Sequence, residues 1–260
     1  MEIRMDGRVA LITGGSKGLG YAMGLKFAES GAQIALAART KAAVTQAALT
    51  IAQTTGQKAI GYVCDVADAE DIKRLHQAVT TDFDRIDILV NNAGFAKAGA
   101  FEAITDDEWQ YDLDLKLMAA VRLSRLVLPS MKANRWGRII NMLNTLAKTP
   151  AKGSAPTSVT RAAGMALTKV LAGEGAAHNV LVNALNIGRI ESDQMVRAHK
   201  ASGSNDSLKA FIKAAGKSLP MGRLGYAEEC ASLACLLCSD AGGYVSGTAI
   251  NVDGNLSPAL

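Results

Sequence analysis

This sequence predicts an α/β fold: a doubly wound parallel sheet of about seven strands with helices on both faces. Three observations carry that expectation. Short apolar runs alternate with longer amphipathic stretches along the whole chain. Most of the short runs are continuously apolar rather than alternating, which is how strands covered on both faces read. Strands that alternate with helices in this way form parallel sheets.

The strand-like runs are Arg8–Thr13, Gln33–Ala38, Ala59–Cys64, Ile86–Val90, Arg138–Met142, Val180–Ala184 and Ala249–Val252. Between them the 3.6-residue period predicts helices over Leu19–Ser30, Ala42–Thr54, Ala69–Asp82, Asp106–Ala133, Ser158–Ala177 and Ala227–Cys238. Thr105 followed three residues later by Glu108 reads as a capping box opening the fourth helix. The stretch Gly188–Lys217 has weak periodicity and reads as a mobile excursion over the carboxyl edge of the sheet, for substrate. No Pro/Gly/Ser-rich linker and no internal repeat divides the chain, so residues 1–260 read as one domain.

Composition excludes several classes. The 260 residues are 49% hydrophobic and 20% charged, with a net charge of +4. No Lys/Arg run or aromatic-interleaved basic patch points to nucleic acid. No apolar stretch is long enough to span a membrane. The amino terminus does not read as a signal peptide, because its apolar run leads straight into glycines. A cytoplasmic location with reduced thiols is expected. Cys230, Cys235 and Cys238 share an apolar helical pattern without a CxxC pair or a nearby histidine, so no metal site is expected and buried helix cysteines are.

The first strand runs into Thr13-Gly14-Gly15-Ser16-Lys17-Gly18-Leu19-Gly20, and a helix follows. Glycines let backbone N–H groups approach a pyrophosphate at a helix N-terminus. A glycine triplet alone is a weak signal that a structural turn would also give; the strand before it and the helix after it favour the Rossmann-type phosphate loop. The second strand ends Ala38-Arg39-Thr40-Lys41, and no Asp or Glu occurs between Gly31 and Cys64. A carboxylate there would bind ribose hydroxyls and repel a 2′-phosphate, whereas a guanidinium grips phosphate bidentately. Together with Lys17, Arg39 favours NADP(H) over NAD(H). Either basic residue alone could be a solvated surface charge.

The loop spacing TGxxxGxG resembles that of the short-chain dehydrogenase/reductase family. The resemblance runs end to end through Asn91-Asn92-Ala93-Gly94, Gly137-Arg138-Ile139-Ile140-Asn141, Val182-Asn183-Ala184 with Gly188 and Ser192, Met221–Gly225 and Ile250–Gly254. It implies hydride transfer between a nicotinamide cofactor and a carbonyl or alcohol. For the cofactor it implies contacts from Gly14, Ser16, Lys17, Gly18, Leu19, Gly20, Arg39, Thr40, Asp65, Val66, Asn92, Ala93, Gly94, Arg161, Gly188, Ile190 and Ser192, with Asp65 reading the adenine. It also implies a homo-oligomer, a dimer or tetramer, built on the fourth and fifth helices.

The resemblance further implies an Asn, a Ser, a Tyr and a Lys at the reacting centre. Ungapped counting from the flanking motifs puts Lys116, Asn144, Thr157 and Arg161 at those positions. Asn144 can still hydrogen-bond a carbonyl oxygen through its amide. Arg161 can still hold ribose hydroxyls. Thr157 cannot stand in for a phenol of pKa about 10, and no tyrosine lies within ten residues of it. Loss of general acid catalysis removes about 10²–10⁴-fold in rate. Lys116 either turns into the site as a substitute ammonium or pairs with Asp112 or Asp114. His199 is either a substitute acid or an exposed helix histidine. Lys116 and Arg161 together favour an anionic ligand. The expected function is an NADP(H)-dependent oxidoreductase with an altered proton relay. The alternatives are a catalytically silent NADP(H)-binding protein, acting as a sensor or assembly subunit, and a lyase or isomerase that uses the cofactor structurally.

Overall fold

The apolar runs become seven parallel strands of one sheet in the order β3-β2-β1-β4-β5-β6-β7. The structure, a computed structural model, describes residues 3–95 and 97–260. The strands are β1 (Val9–Thr13), β2 (Gln33–Ala38), β3 (Ala59–Val63), β4 (Ile88–Asn91), β5 (Gly137–Asn144), β6 (Val180–Ile187) and β7 (Ala249–Val252). The helices are α1 (Gly18–Glu29), α2 (Lys41–Thr55), α3 (Ala69–Phe83), α4 (Asp106–Leu113), α5 (Ala119–Ala133), α6 (Thr157–Ala176), α7 (Asp193–Ser202), α8 (Leu208–Gly216) and α9 (Ala227–Cys238).

Alternate strand residues feed two separate cores, which explains the continuous apolar runs. Ile12, Leu36, Val90 and Leu185 pack with Met23 and Phe27 of α1, Ile51 of α2 and the cysteines of α9. Leu11, Ala37, Leu89 and Val182 pack on the other face with Ile72 of α3 and with Leu123 and Val127 of α5. All four cysteines are free and buried. Burial pushes every thiol pKa up, Cys64 and Cys230 to about 12. Among the described residues no group of three His/Cys/Asp/Glu could hold a metal, and no helix is long and apolar enough to cross a membrane.

The structure departs from the sequence reading in three places. The single helix expected over Asp106–Ala133 is divided into α4 and α5 by a wide π-type turn at Asp114–Met118; the Thr105–Glu108 capping box does open α4. Strands β5 and β6 run on to Asn144 and Ile187, because those two residues pair in register and carry the ladder past the apolar stretch. The excursion after Gly188 is not irregular: it carries α7 and α8, the second capped by Ser207 accepting from the Ala210 amide, with the His199 and Phe211 rings 5.2 Å apart and tilted by 54°.

Candidate functional site

The carboxyl ends of β1 to β6 bound a cavity of about 580 Å³. It straddles the boundary between β1 and β4, where the strand order reverses, which is where open α/β sheets take ligands. At its centre the glycine loop is tied to the end of β4. Thr13 Oγ1 accepts from the Asn92 and Ala93 amides at 3.0 Å, and Asn92 Nδ2 donates to the Thr13 carbonyl at 2.9 Å. Gly14 takes a left-handed φ of +65°. A Cβ at Gly20 would lie 2.4 Å from the Gly14 carbonyl oxygen, so only glycine lets α1 start this close to the turn. The first turn of α1 holds no acidic residue, leaving its N-terminus open to an anion.

Gly14, Ser16, Lys17 and Leu19 line this part of the cavity; Gly18 and Gly20 shape the loop behind them without reaching the wall. Toward β2 and β3 the lining continues with Arg39, Thr40, Asp65 and Val66. Arg39 is exposed and donates to the Tyr111 hydroxyl at 3.3 Å. Asp65 is held by its loop: Oδ1 accepts from the Ala67 amide at 3.0 Å, and its own amide donates to Asp71 Oδ2. Asn92, Ala93 and Gly94 line the middle, and Gly188, Ile190 and Ser192 the β6 side. Sequence reading missed Phe95, Met142, Leu143 and Ile187, which add apolar wall.

Asn144, Thr157 and Arg161 meet on one side of the cavity; Lys116 lies behind them and is not part of its wall. The Lys116 side chain is 0% exposed. Its ammonium hydrogen-bonds Asp112 and donates to Thr157 Oγ1 at 2.7 Å. Asp112 is the partner of Lys116, while Asp114 pairs with Arg122. Thr160 donates to the other oxygen of Asp112 at 2.8 Å. Burial, opposed by Asp112 and assisted by Arg161, holds the Lys116 pKa below its usual value.

Thr157 acts as a clamp. Its hydroxyl donates to the Lys97 carbonyl at 2.6 Å and accepts from the Lys97 amide at 3.0 Å. Its single proton is thereby spent on main chain, beside the bridge pairing Ala98 with Pro156. Arg161 Nη1 donates to the Met142 carbonyl at 2.5 Å, its Nε is buried without a partner among the described residues, and Gly94 packs against Nη2. Burial, opposed by the Asp112 charge, pushes the Arg161 pKa down to about 10. Asn144 Oδ1 is likewise buried with no partner among the described residues. His199 sits half-buried on α7, where its Nε2 donates to the Asp206 carbonyl, away from this cluster. Of the cluster, Thr160 was findable as the helix neighbour of Thr157; the Lys97 clamp is made by main chain and leaves no trace in residue type.

Comparison with known proteins places the chain among reductases. The profile of the Enoyl-(Acyl carrier protein) reductase family matches residues 14–257. The 3-oxoacyl-(acyl-carrier-protein) reductase FabG of Aquifex aeolicus is 32% identical over 98% of this chain and 100% of its own. The human Dehydrogenase/reductase SDR family member 4 is 32% identical over 97% of this chain and 88% of its own. Among solved structures, L-sorbose reductase from Gluconobacter frateurii, complexed with NADPH and L-sorbose, superposes with a TM-score of 0.95 at 33% identity over 100% of both chains.

Proposed function

The chain belongs to the short-chain dehydrogenase/reductase family, and from that premise we propose that it is an NADP(H)-dependent oxidoreductase with an altered proton relay, acting on a small carbonyl or alcohol substrate. One observation carries the reading: a single cavity runs from the glycine loop and Arg39 to Asn144 and Arg161, while the Thr157 hydroxyl at the reacting end donates its hydrogen bond to the Lys97 carbonyl.

The residues fit the cofactor. Gly14 and Gly20 leave a cradle that a Cβ would fill, the α1 N-terminus faces it, and no carboxylate follows β2. Ser16, Lys17, Gly18 and Leu19 would hold the pyrophosphate, and Arg39 with Thr40 a 2′-phosphate. Asp65 and Val66 would hold the adenine, Asn92, Ala93 and Gly94 the adenosine side, and Arg161, Gly188, Ile190 and Ser192 the nicotinamide half. Bound there, the nicotinamide supplies or accepts the hydride. The protein's part is to orient the substrate oxygen through Asn144 and Arg161 and to shut its own acid out, leaving water to deliver the proton. Lys116 and Arg161 against Asp112 leave one positive charge in excess, which favours an anionic group on the ligand. The chain works as one domain, and a homo-oligomer would use the exposed stripe of Val159, Ala166, Val170 and Gly173 on α6.

The buried Lys116–Thr157 pair also favours a second reading, a silent NADP(H)-binding sensor or assembly subunit. NADPH oxidation over a panel of ketones, quinones, imines and 3-oxoacyl thioesters separates the two. Turnover that disappears in Gly20→Ala, whose Cβ collides with the loop, supports the oxidoreductase; NADPH binding with no turnover across the panel supports the silent protein. For the cofactor itself, Arg39→Asp is expected to weaken NADPH by about 10- to 100-fold through loss of a charge-assisted phosphate contact, with NADH affinity not reduced. Fluorescence titration of both cofactors checks this, and an unchanged NADPH dissociation constant would remove Arg39 from the phosphate site.

A further inference from the structure

We propose that Tyr111 belongs to the cofactor site: its phenol steadies Arg39 and donates a hydrogen bond of its own to the 2′-phosphate, so that two side chains share the selection of NADP(H) over NAD(H). This rests on the placing of the 2′-phosphate at Arg39 and adds to it a residue from the other side of the cavity.

The two residues come from opposite rims. Arg39 follows β2 and, with Thr40, Asp65 and Val66, bounds the adenosine end of the cavity. Tyr111 stands on α4, 72 positions later in the chain. It lies four residues ahead of Leu115, which lines the cavity, and residues at that spacing share a helix face. Its ring is 6.2 Å from that of Phe95, another wall residue, and tilted by 37° to it. That separation suits an aromatic pair, and it holds the phenol on the cavity side of α4. Tyr111 itself is at the rim, outside the wall, and 37% exposed. From there its hydroxyl reaches the opposite rim and accepts from Arg39 Nη1 at 3.3 Å.

Packing alone does not call for the hydroxyl, because a phenylalanine would serve Phe95 and α4 equally well. The oxygen that accepts from Arg39 still carries a hydrogen, and a guanidinium has only donors and cannot take it. Among the described residues that hydrogen has no acceptor. An anion held by the same guanidinium supplies one. A terminal phosphate presents three charged oxygens, of which Arg39 grips two at most in a fork. The third is the acceptor that the phenol lacks. NAD(H) presents a single uncharged oxygen in that place, so the contribution of Tyr111 is made to the phosphate. Contact with Tyr111 also holds the exposed Arg39 side chain in place beforehand, which lowers the ordering cost of binding.

Calorimetric titration of the full-length protein with adenosine 2′,5′-bisphosphate and adenosine 5′-monophosphate tests this, since the two probes differ only in the 2′-phosphate. Tyr111→Phe, verified as folded by circular dichroism, is expected to weaken the bisphosphate about 10-fold, the lower end for a hydrogen bond to a charged group, and to leave the monophosphate unchanged. Tyr111→Glu, which sets a negative charge at the same place, is expected to weaken the bisphosphate further, again without loss of the monophosphate. Unchanged bisphosphate affinity in either variant overturns the proposal. Tighter binding in Tyr111→Phe also overturns it, by making Tyr111 a competitor for Arg39. Equal weakening of both nucleotides overturns it as well, by making Tyr111 a packing residue. Each of these leaves Arg39 at the phosphate. A wild-type protein that binds the two nucleotides equally removes the phosphate from Arg39, and this proposal with it.

Discussion

Replacing Lys116 with methionine is expected to cost the fold about 3–5 kcal/mol, the largest loss of any single substitution at this site. The reason is what remains behind. Asp112 is 2% exposed, and without the ammonium its charge keeps, among the described residues, the Thr160 hydroxyl as its direct side-chain partner. A carboxylate stranded in that position bears its desolvation cost uncompensated. The double variant Lys116→Met/Asp112→Leu is expected to recover most of the loss, since removing both charges removes the stranded one. Urea unfolding measures this as a shift in midpoint at constant slope. A loss below about 1 kcal/mol in the single variant would mean that the pair behaves as an exposed one. NADPH affinity should change little, because Lys116 does not reach the cavity.

The second large effect concerns restoring the family pattern. Thr157→Tyr with Arg161→Lys is expected to destabilise the protein by about 1–3 kcal/mol, because the site is filled. Thr157 is 2% exposed and its oxygen serves the Lys97 carbonyl, the Lys97 amide and the Lys116 ammonium at once. A phenol ring in that place must push aside either main chain or the buried cation. Reduction of saturated ketones is therefore not expected to rise. A gain of about 10²–10⁴-fold with stability retained would show the opposite, that only the acid is missing. Thermal unfolding and ketone-dependent NADPH oxidation, measured on the same preparation, distinguish the outcomes.

The sheet was readable because parallel strands buried on two faces must be apolar at every position, and runs such as Val9–Thr13 are. The cofactor side of the cavity was readable for a related reason: its residues sit directly after strand ends, so locating the strands located them. The break between α4 and α5 was not. Asp112, Leu115, Lys116, Ala119, Ala120 and Leu123 are all buried at ordinary helical spacing, and nothing in that period marks a wider turn. Helices α7 and α8 were hidden by the Ser-Gly-Ser-Asn stretch between them, which weakens the periodic signal over the whole segment. At the reacting end, Lys116 and Asp112 stand four apart on one helical turn, and their pairing was one of two options the spacing allowed. The Thr157–Lys97 clamp joins positions 60 apart through backbone atoms that every residue type carries.

The buried thiols have a practical consequence. With their pKa values raised, Cys64, Cys230, Cys235 and Cys238 present almost no thiolate to solvent while the chain is folded. An alkylating dye therefore times openings instead of mapping a surface. Three of its targets lie on α9 and are released when that helix lifts from α1 and the sheet. The fourth, Cys64, borders the cavity beside Asp65, where a bound dinucleotide should slow its modification and leave the other three untouched.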